Sequence, residues 1–282
     1  MMLFKKATDI NRYLQQCRNS GKSTGFVPTM GALHQGHLSL IDTSKQACSI
    51  TVCSIFVNPT QFNDVKDFEN YPSTIEKDID ALEKAGCDVL FLPSVSEMYP
   101  NGTENVQNYQ LGYLETVLEG KYRPGHFQGV CLVVHRLLNI MPADQLYLGQ
   151  KDYQQCMIIK KLIELEKINT TVNICPTLRE SSGLAMSSRN MRLSDDERKQ
   201  ALAIFKTLSY LKNNIKKGKL AELKQAAVNK LMNSGFKVDY VEIADADNLE
   251  IIEQWDGNKR LVAVVAAFLG NVRLIDNLLL TL

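Results

Sequence analysis

Five short apolar runs separated by amphipathic stretches most constrain what this chain can fold into. The runs at residues 25–30, 50–57, 88–92, 145–148 and 170–175 are apolar almost throughout instead of alternating with polar side chains. Between them, residues 38–47, 73–85, 129–141 and 153–167 carry apolar side chains at helical spacing. Strands that are apolar on both faces and spaced by helices predict a Rossmann-like α/β domain over residues 1–176, a parallel sheet with helices on both faces. Sheets of this kind bind ligands beyond the carboxyl ends of their strands. The loops after Met30, Val57 and Leu148 are therefore where chemistry is expected.

The pattern changes near residue 177. Ser194-Asp195-Asp196-Glu197 reads as a capping box opening a long helix that runs to about Lys217. A second helix is expected over 220–234, closed by Gly235 as a C-terminal glycine. Strands follow at 238–243, 260–269 and 272–280, the last two joined by Gly270-Asn271, a two-residue hairpin signal. Residues 177–282 are thus expected to form a smaller α+β lid domain that closes over the first.

Composition excludes several functional classes. The net charge is +1 over 282 residues, which offers no electrostatic basis for nucleic acid or a membrane surface as a general partner. The longest apolar run, 261–270, is too short to span a bilayer, and the N-terminus turns polar at once with no signal-peptide core. A cytoplasmic location is expected. Seven cysteines without a Cys-x-x-Cys pair, several inside apolar runs, read as buried free thiols and not as disulfides or zinc ligands.

The segment Met30-Gly31-Ala32-Leu33-His34-Gln35-Gly36-His37 stands where the first of these strands hands over to a helix. Free amides and the helix dipole at such a junction favour an anion. His34 and His37 are three apart, so both rings can face one side and donate to charge developing on a phosphate. The spacing Gly31 to Gly36 is that of a P-loop, but His37-Leu38 replaces the Lys-Ser/Thr that would hold phosphate and Mg²⁺. His-x-Gly-His fits better, and that motif alone names a nucleotidyl-transfer mechanism without a substrate.

Five segments occur in order: 27–34 (Val-Pro-Thr-Met-Gly-Ala-Leu-His), 54–62 (Ser-Ile-Phe-Val-Asn-Pro-Thr-Gln-Phe), 119–129 (Glu-Gly-Lys-Tyr-Arg-Pro-Gly-His-Phe-Gln-Gly), 149–155 (Gly-Gln-Lys-Asp-Tyr-Gln-Gln) and 183–190 (Gly-Leu-Ala-Met-Ser-Ser-Arg-Asn). Together with 273–277 (Arg-Leu-Ile-Asp-Asn), they closely resemble the pantothenate synthetase family, of the His-x-Gly-His nucleotidylyltransferase superfamily. The resemblance implies a ligase that joins pantoate to β-alanine. Pantoate attacks ATP, pyrophosphate leaves, and the amine of β-alanine then displaces AMP from pantoyl adenylate. It implies His37, His34 and Lys151 as catalytic. ATP contacts are implied at residues 30–37 and at Gly149, Gln150, Lys151, Asp152, Leu178, Met186, Ser187, Ser188 and Arg189. It further implies Asn58, Gln61 and Gln155 at pantoate, Gln61 at β-alanine, Asp78 as a contact for Mg²⁺ or its water, and a homodimer. Arg123 and His126 are expected to order the pocket.

The chemistry agrees with these residue types. A carboxylate is ionised at neutral pH, so its attack on the α-phosphate needs cations, donors and placement more than a general base. Gln35, Gln150 and Ser182 depart from the family pattern, in which an acid is frequent at the first, Glu at the second and Asp at the third. Two alternatives remain at this level: a different His-x-Gly-His nucleotidylyltransferase acting on a small substrate, and a non-catalytic nucleotide-binding homologue.

Overall fold

The first unit is built on a six-stranded sheet whose strands are all parallel, in the order β1-β4-β3-β2-β5-β6. These strands are β1 (Met2–Phe4), β2 (Thr24–Thr29), β3 (Ile50–Ile55), β4 (Val89–Phe91), β5 (Gln145–Gly149) and β6 (Thr171–Cys175). A computed structural model describes residues 1–62, 68, 71–103 and 107–281. The chain divides into one unit of Met1–Gly149 with Gln155–Cys175 and a second of Gln150–Gln154 with Pro176–Leu282. A single cut near residue 176 thus leaves out one short segment, Gln150–Gln154, which groups with the C-terminal part of the chain.

All five apolar runs are strands, and β3 is buried along its whole length. The longer helices are α1 (Ala7–Asn19), α2 (Gln35–Ala47), α3 (Ile75–Lys84), α4 (His126–Ile140) and α5 (Tyr153–Leu165). Among the elements that escape the periodicity argument are β1 and α1. β1 is a three-residue edge strand, half-exposed at Met2 and Leu3. α1 buries only Ile10, Leu14 and Cys17 and has no side-chain cap at Lys6, so neither a broad apolar face nor a start signal marks it. Strand order reverses between β2 and β5, which makes that pair the topological switch point at which such sheets carry ligands.

One glycine decides how α4 meets the sheet's ligand edge. A Cβ at Gly129 would stand 2.2 Å from the Thr60 carbonyl oxygen and 2.7 Å from the Gln61 Cα. Only a glycine lets the helix back onto the turn Pro59–Gln61, where Asn58 Nδ2 donates to the Gly129 carbonyl at 3.0 Å. Alanine would gain about 1 kcal/mol of helix propensity, yet overpacking against backbone costs about 1–3 kcal/mol. Gly129→Ala is therefore expected to lower the thermal unfolding midpoint, as calorimetry would show; an unchanged or raised midpoint would mean the turn yields freely.

The second unit holds α6 (Asp195–Asn214), α7 (Ala221–Asn233) and the antiparallel sheet β11-β10-β8, formed by β8 (Lys237–Asp245), β10 (Leu261–Leu269) and β11 (Val272–Leu279). A two-stranded ribbon pairs β7 (Gly218–Lys219) with β9 (Gln254–Trp255). The capping box is present: Ser194 Oγ accepts from Glu197 N–H, and the Glu197 carboxylate accepts from Ser194 N–H at 2.8 Å. Gly270, at φ 54°, opens the two-residue hairpin between paired Leu269 and Val272. Ile204, Leu208 and Leu211 of α6 pack with Ala227 and Leu231 of α7 on the sheet residues Ile243, Ala263 and Val265. Among the described residues, no helix is long and apolar enough to cross a membrane.

Candidate active site

The loop leaving β2 is held in an unusual conformation by a buried carboxylate. Gly31 and Ala32 have φ of 84° and 48°, the left-handed region that costs a residue with a Cβ about 1 kcal/mol or more. Asp78 on α3, only 2% exposed, stabilises this shape. Its Oδ2 accepts from Ala32 N–H at 2.9 Å, and its Oδ1 accepts from Leu33 N–H at 2.8 Å and from the Thr74 hydroxyl at 3.1 Å. Gly31 N–H donates to Thr29 Oγ1 at 3.2 Å.

This corrects one expectation: the amides of residues 31–33 do not stand open for an anion, because Thr29 and Asp78 occupy them. The three bonds that Asp78 accepts make it an anchor of the loop.

Two imidazoles stand at the end of this loop, where α2 begins. His34 is the N-cap of α2, and its Nδ1 accepts from Gly36 N–H at 3.1 Å. His37 Nδ1 accepts, more weakly, from His34 N–H at 3.4 Å. Accepting at Nδ1 leaves the proton of a neutral ring on Nε2. Both rings are thus set as Nε2–H donors, with centroids 4.0 Å apart. Gln35 and Gly36 occupy the first turn of the same helix and place its backbone.

Beside this loop lies a cluster of amides. Asn58 is fully buried: its Oδ1 accepts from the Tyr99 hydroxyl at 2.8 Å and the Thr60 hydroxyl at 3.0 Å, and its Nδ2 donates to Gly129. These bonds tie the turn Pro59–Gln61 to α4 and to Tyr99. Gln61 is the accessible member, with Nε2 2.7 Å from Met30 Sδ and Oε1 3.4 Å from Asn58 Nδ2. His126 donates from Nδ1 to the Gln61 carbonyl at 2.8 Å and accepts from Arg123 at Nε2, 3.1 Å away. The expected ordering role of the Arg123–His126 stretch thus has a target, the Gln61 backbone. Gln155, half-buried on α5, completes the set of amides expected at pantoate.

The second unit contains a small pocket lined by Lys151, Ser187, Arg189, Arg273 and Asp276 among others. Lys151, 17% exposed, has Nζ 3.5 Å from Asp152 Oδ1. Ser187 caps the turn Ser188–Arg192 by accepting from Arg189 N–H at 3.2 Å, which leaves its hydroxyl hydrogen to donate elsewhere. The Asp276 charge is taken by Arg179 in a bidentate pair at 2.6 and 3.0 Å, and burial pushes that carboxyl up against the pull of the guanidinium. Arg273 is paired with Asp239 at 2.8 Å. Three cations, Lys151, Arg189 and Arg273, thus line the pocket beside an Asp276 matched by Arg179, with Asp152 near the lysine and Asp239 paired to Arg273.

The loop before Ser187 is braced from within the same unit. The Arg179 guanidinium lies 4.2 Å over the Phe205 ring, and a Cβ at Gly183, whose φ is 97°, would meet that ring at 2.6 Å. The Leu178 carbonyl accepts from Met186 N–H at 3.1 Å, so Leu178 supports the loop through its backbone while its side chain is 39% exposed. Ser182, standing where the family pattern has Asp, accepts from Leu184 N–H only at 3.5 Å. Gln150, expected among the nucleotide contacts, donates from its amide to Asn277 Oδ1 at 3.1 Å.

The family model described as pantoate-beta-alanine ligase matches residues 2–279. This chain belongs to the pantoate-beta-alanine ligase family. Its relatives include the pantothenate synthetases of Azobacteroides pseudotrichonymphae, 43% identical over 280 residues and 99% of each chain, and of Cytophaga hutchinsonii, 42% identical over 285 residues and all of both chains. The crystal structure of pantothenate synthetase from Thermus thermophilus matches with a TM-score of 0.90 at 36% identity, covering both chains completely. A pantoate-beta-alanine ligase from Francisella tularensis, complexed with beta-gamma ATP and beta-alanine, matches with a TM-score of 0.81 at 39% identity, over 99% of this chain and 98% of that one.

Sequence reasoning missed several side chains on which this ligase site depends. Thr29, Thr74, Arg179, Asp276 and Asn277 had no role assigned, and the anchoring of the loop by Asp78 was not foreseen. One signal was available: Asp276-Asn277 is a polar pair inside an otherwise apolar strand, where buried polar groups must be hydrogen-bonded.

Proposed function

We propose that this protein condenses pantoate with β-alanine at the expense of ATP, giving pantothenate, AMP and pyrophosphate. The observation that carries the reading is the family match over residues 2–279; the histidines at the start of α2 and the basic side chains around Lys151 support it as groups suited to phosphate.

In the first step a pantoate carboxylate oxygen bonds to the α-phosphorus, and the bond from that phosphorus to the bridging oxygen breaks. Pyrophosphate leaves with the electron pair. The nucleophile needs no deprotonation, so His34 and His37 act as donors to charge on the phosphates. Lys151 and Arg189 neutralise the same charge, with Ser187 and Ser188 donating alongside them. In the second step the ammonium of β-alanine gives a proton to solvent, and the amine nitrogen bonds to the acyl carbon. The bond from that carbon to the phosphate oxygen breaks with its electron pair leaving on AMP, and the nitrogen releases a second proton to AMP or solvent. Gln61 and Gln155 orient pantoate, with Gln61 also beside the amine. Mg²⁺ would arrive on the ATP phosphates and lower their charge. Dependence on ATP favours a cytoplasmic setting, and the family resemblance favours a homodimer, which sedimentation would test.

The decisive assay supplies ATP, Mg²⁺ and pantoate, with and without β-alanine, and follows pyrophosphate and AMP. The expected result is about one pyrophosphate per site without the amine, and sustained AMP release with it. Turnover without pantoate, or a rate indifferent to β-alanine, would overturn the reading in favour of another nucleotidylyltransferase. No pyrophosphate at all would favour a silent nucleotide-binding homologue.

A further inference from the structure

Lysine is a flexible point charge, and four rotatable bonds separate its ammonium from the backbone. Using it to stabilise a transition state requires that its Cα–Cβ direction be set by something other than the lysine itself. In the second unit that direction is set from β11. Asn277 is 2% exposed, and its Nδ2 donates to two carbonyls, those of Gln150 and Lys151, each at 2.8 Å. These belong to the two peptide planes on either side of the Lys151 Cα. Holding both planes fixes φ and ψ of Lys151, and with them the direction in which its side chain departs.

Asn277 is in turn held on every side. Its Oδ1 accepts from Gln150 Nε2 at 3.1 Å, its N–H donates to Asp276 Oδ1 at 2.8 Å, and its carbonyl accepts from Arg179 at 3.2 Å. Asp276 is locked by the bidentate pair with Arg179, which also donates to the Gly183 carbonyl at 3.2 Å. One network therefore links the Lys151 turn to the segment that leads into Ser187. Gln150 has a reason to be an amide in this chain: a carboxylate at that position would confront Asn277 Oδ1 with a second acceptor.

We infer that Asn277 is a positioning residue for Lys151, and that the Gln150–Asn277 amide pair is the device that aims the lysine during adenylation. The inference rests on the proposed phosphate role of Lys151. Loss of both donors to the turn is expected to slow single-turnover adenylation about 10-fold or more, the scale of misplacing a reacting group.

The test is a double-mutant cycle in the full-length protein, read as pyrophosphate release in a single turnover. Asn277→Asp keeps the shape and removes the donors; Asn277→Ala serves if that variant does not fold, and the milder Gln150→Met probes the pair from the other side. With Lys151 present, each change should slow adenylation while leaving the rate of amide formation from supplied pantoyl adenylate and β-alanine unchanged. On a Lys151→Ala background the same changes should cost less than about 3-fold. An equal loss on both backgrounds, or an equal loss in the amide-forming step, would overturn the positioning role. A normal adenylation rate in Lys151→Ala alone would instead overturn the phosphate role on which the inference stands.

Discussion

Alanine in place of Lys151 is expected to slow formation of pantoyl adenylate at least about 100-fold, the scale of removing one preorganised electrostatic contact. The ammonium is 17% exposed, in a pocket whose one lining carboxylate among the described residues is already matched by Arg179. The affinity for pantoate should change little, so the loss should fall on the rate of pyrophosphate release at saturating substrates. Lys151→Arg keeps the charge but replaces a compact ammonium with a planar fork, and an intermediate rate is expected. A Lys151→Ala enzyme with the parental rate would show that the phosphate charge is met elsewhere.

The second large effect concerns Asp78. Its carboxylate satisfies two backbone donors and a hydroxyl while nearly fully buried, and it holds Gly31 and Ala32 at positive φ. Removing it leaves two buried N–H groups without acceptors, each costing about 1–3 kcal/mol. Asp78→Ala is therefore expected to lower stability by about 2–6 kcal/mol in denaturant unfolding, and to release the loop that carries His34. Asp78→Asn is the sharper variant. It keeps the volume but points an N–H₂ group at one of the two backbone donors, and adenylation should fall at least about 10-fold. Titration with Mg²⁺ separates the two roles considered for this residue. A loop anchor predicts a defect that no Mg²⁺ concentration restores. Recovery at raised Mg²⁺ would instead make Asp78 a metal contact.

Much of this was legible from residue order alone. The apolar runs announced the parallel sheet, because a strand covered on both faces has no polar side to show. The Ser194 capping box, Gly235 and Gly270-Asn271 announced the elements of the second unit, because caps and two-residue hairpins are local and their chemistry lies within a few residues. β1 and α1 were illegible for the opposite reason: an edge strand of three residues and a helix with three buried side chains owe their form to what they dock against.

At the site the same division holds. Sequence by itself determined which groups are present: two histidines three apart at a strand-to-helix junction, a lysine after a strand, a serine pair beside an arginine, and five motifs in one order. Tertiary structure decided what each group is free to do. Asp78 meets residues 32 and 33 across more than forty positions, and Asn277 meets the Lys151 turn across more than one hundred and twenty. These pairings show Asp78 anchoring a loop and an unassigned strand residue clamping a turn. The physical reason is that a buried hydrogen-bonding group must find partners wherever the chain brings them, and spacing along the sequence carries no record of partners so far away.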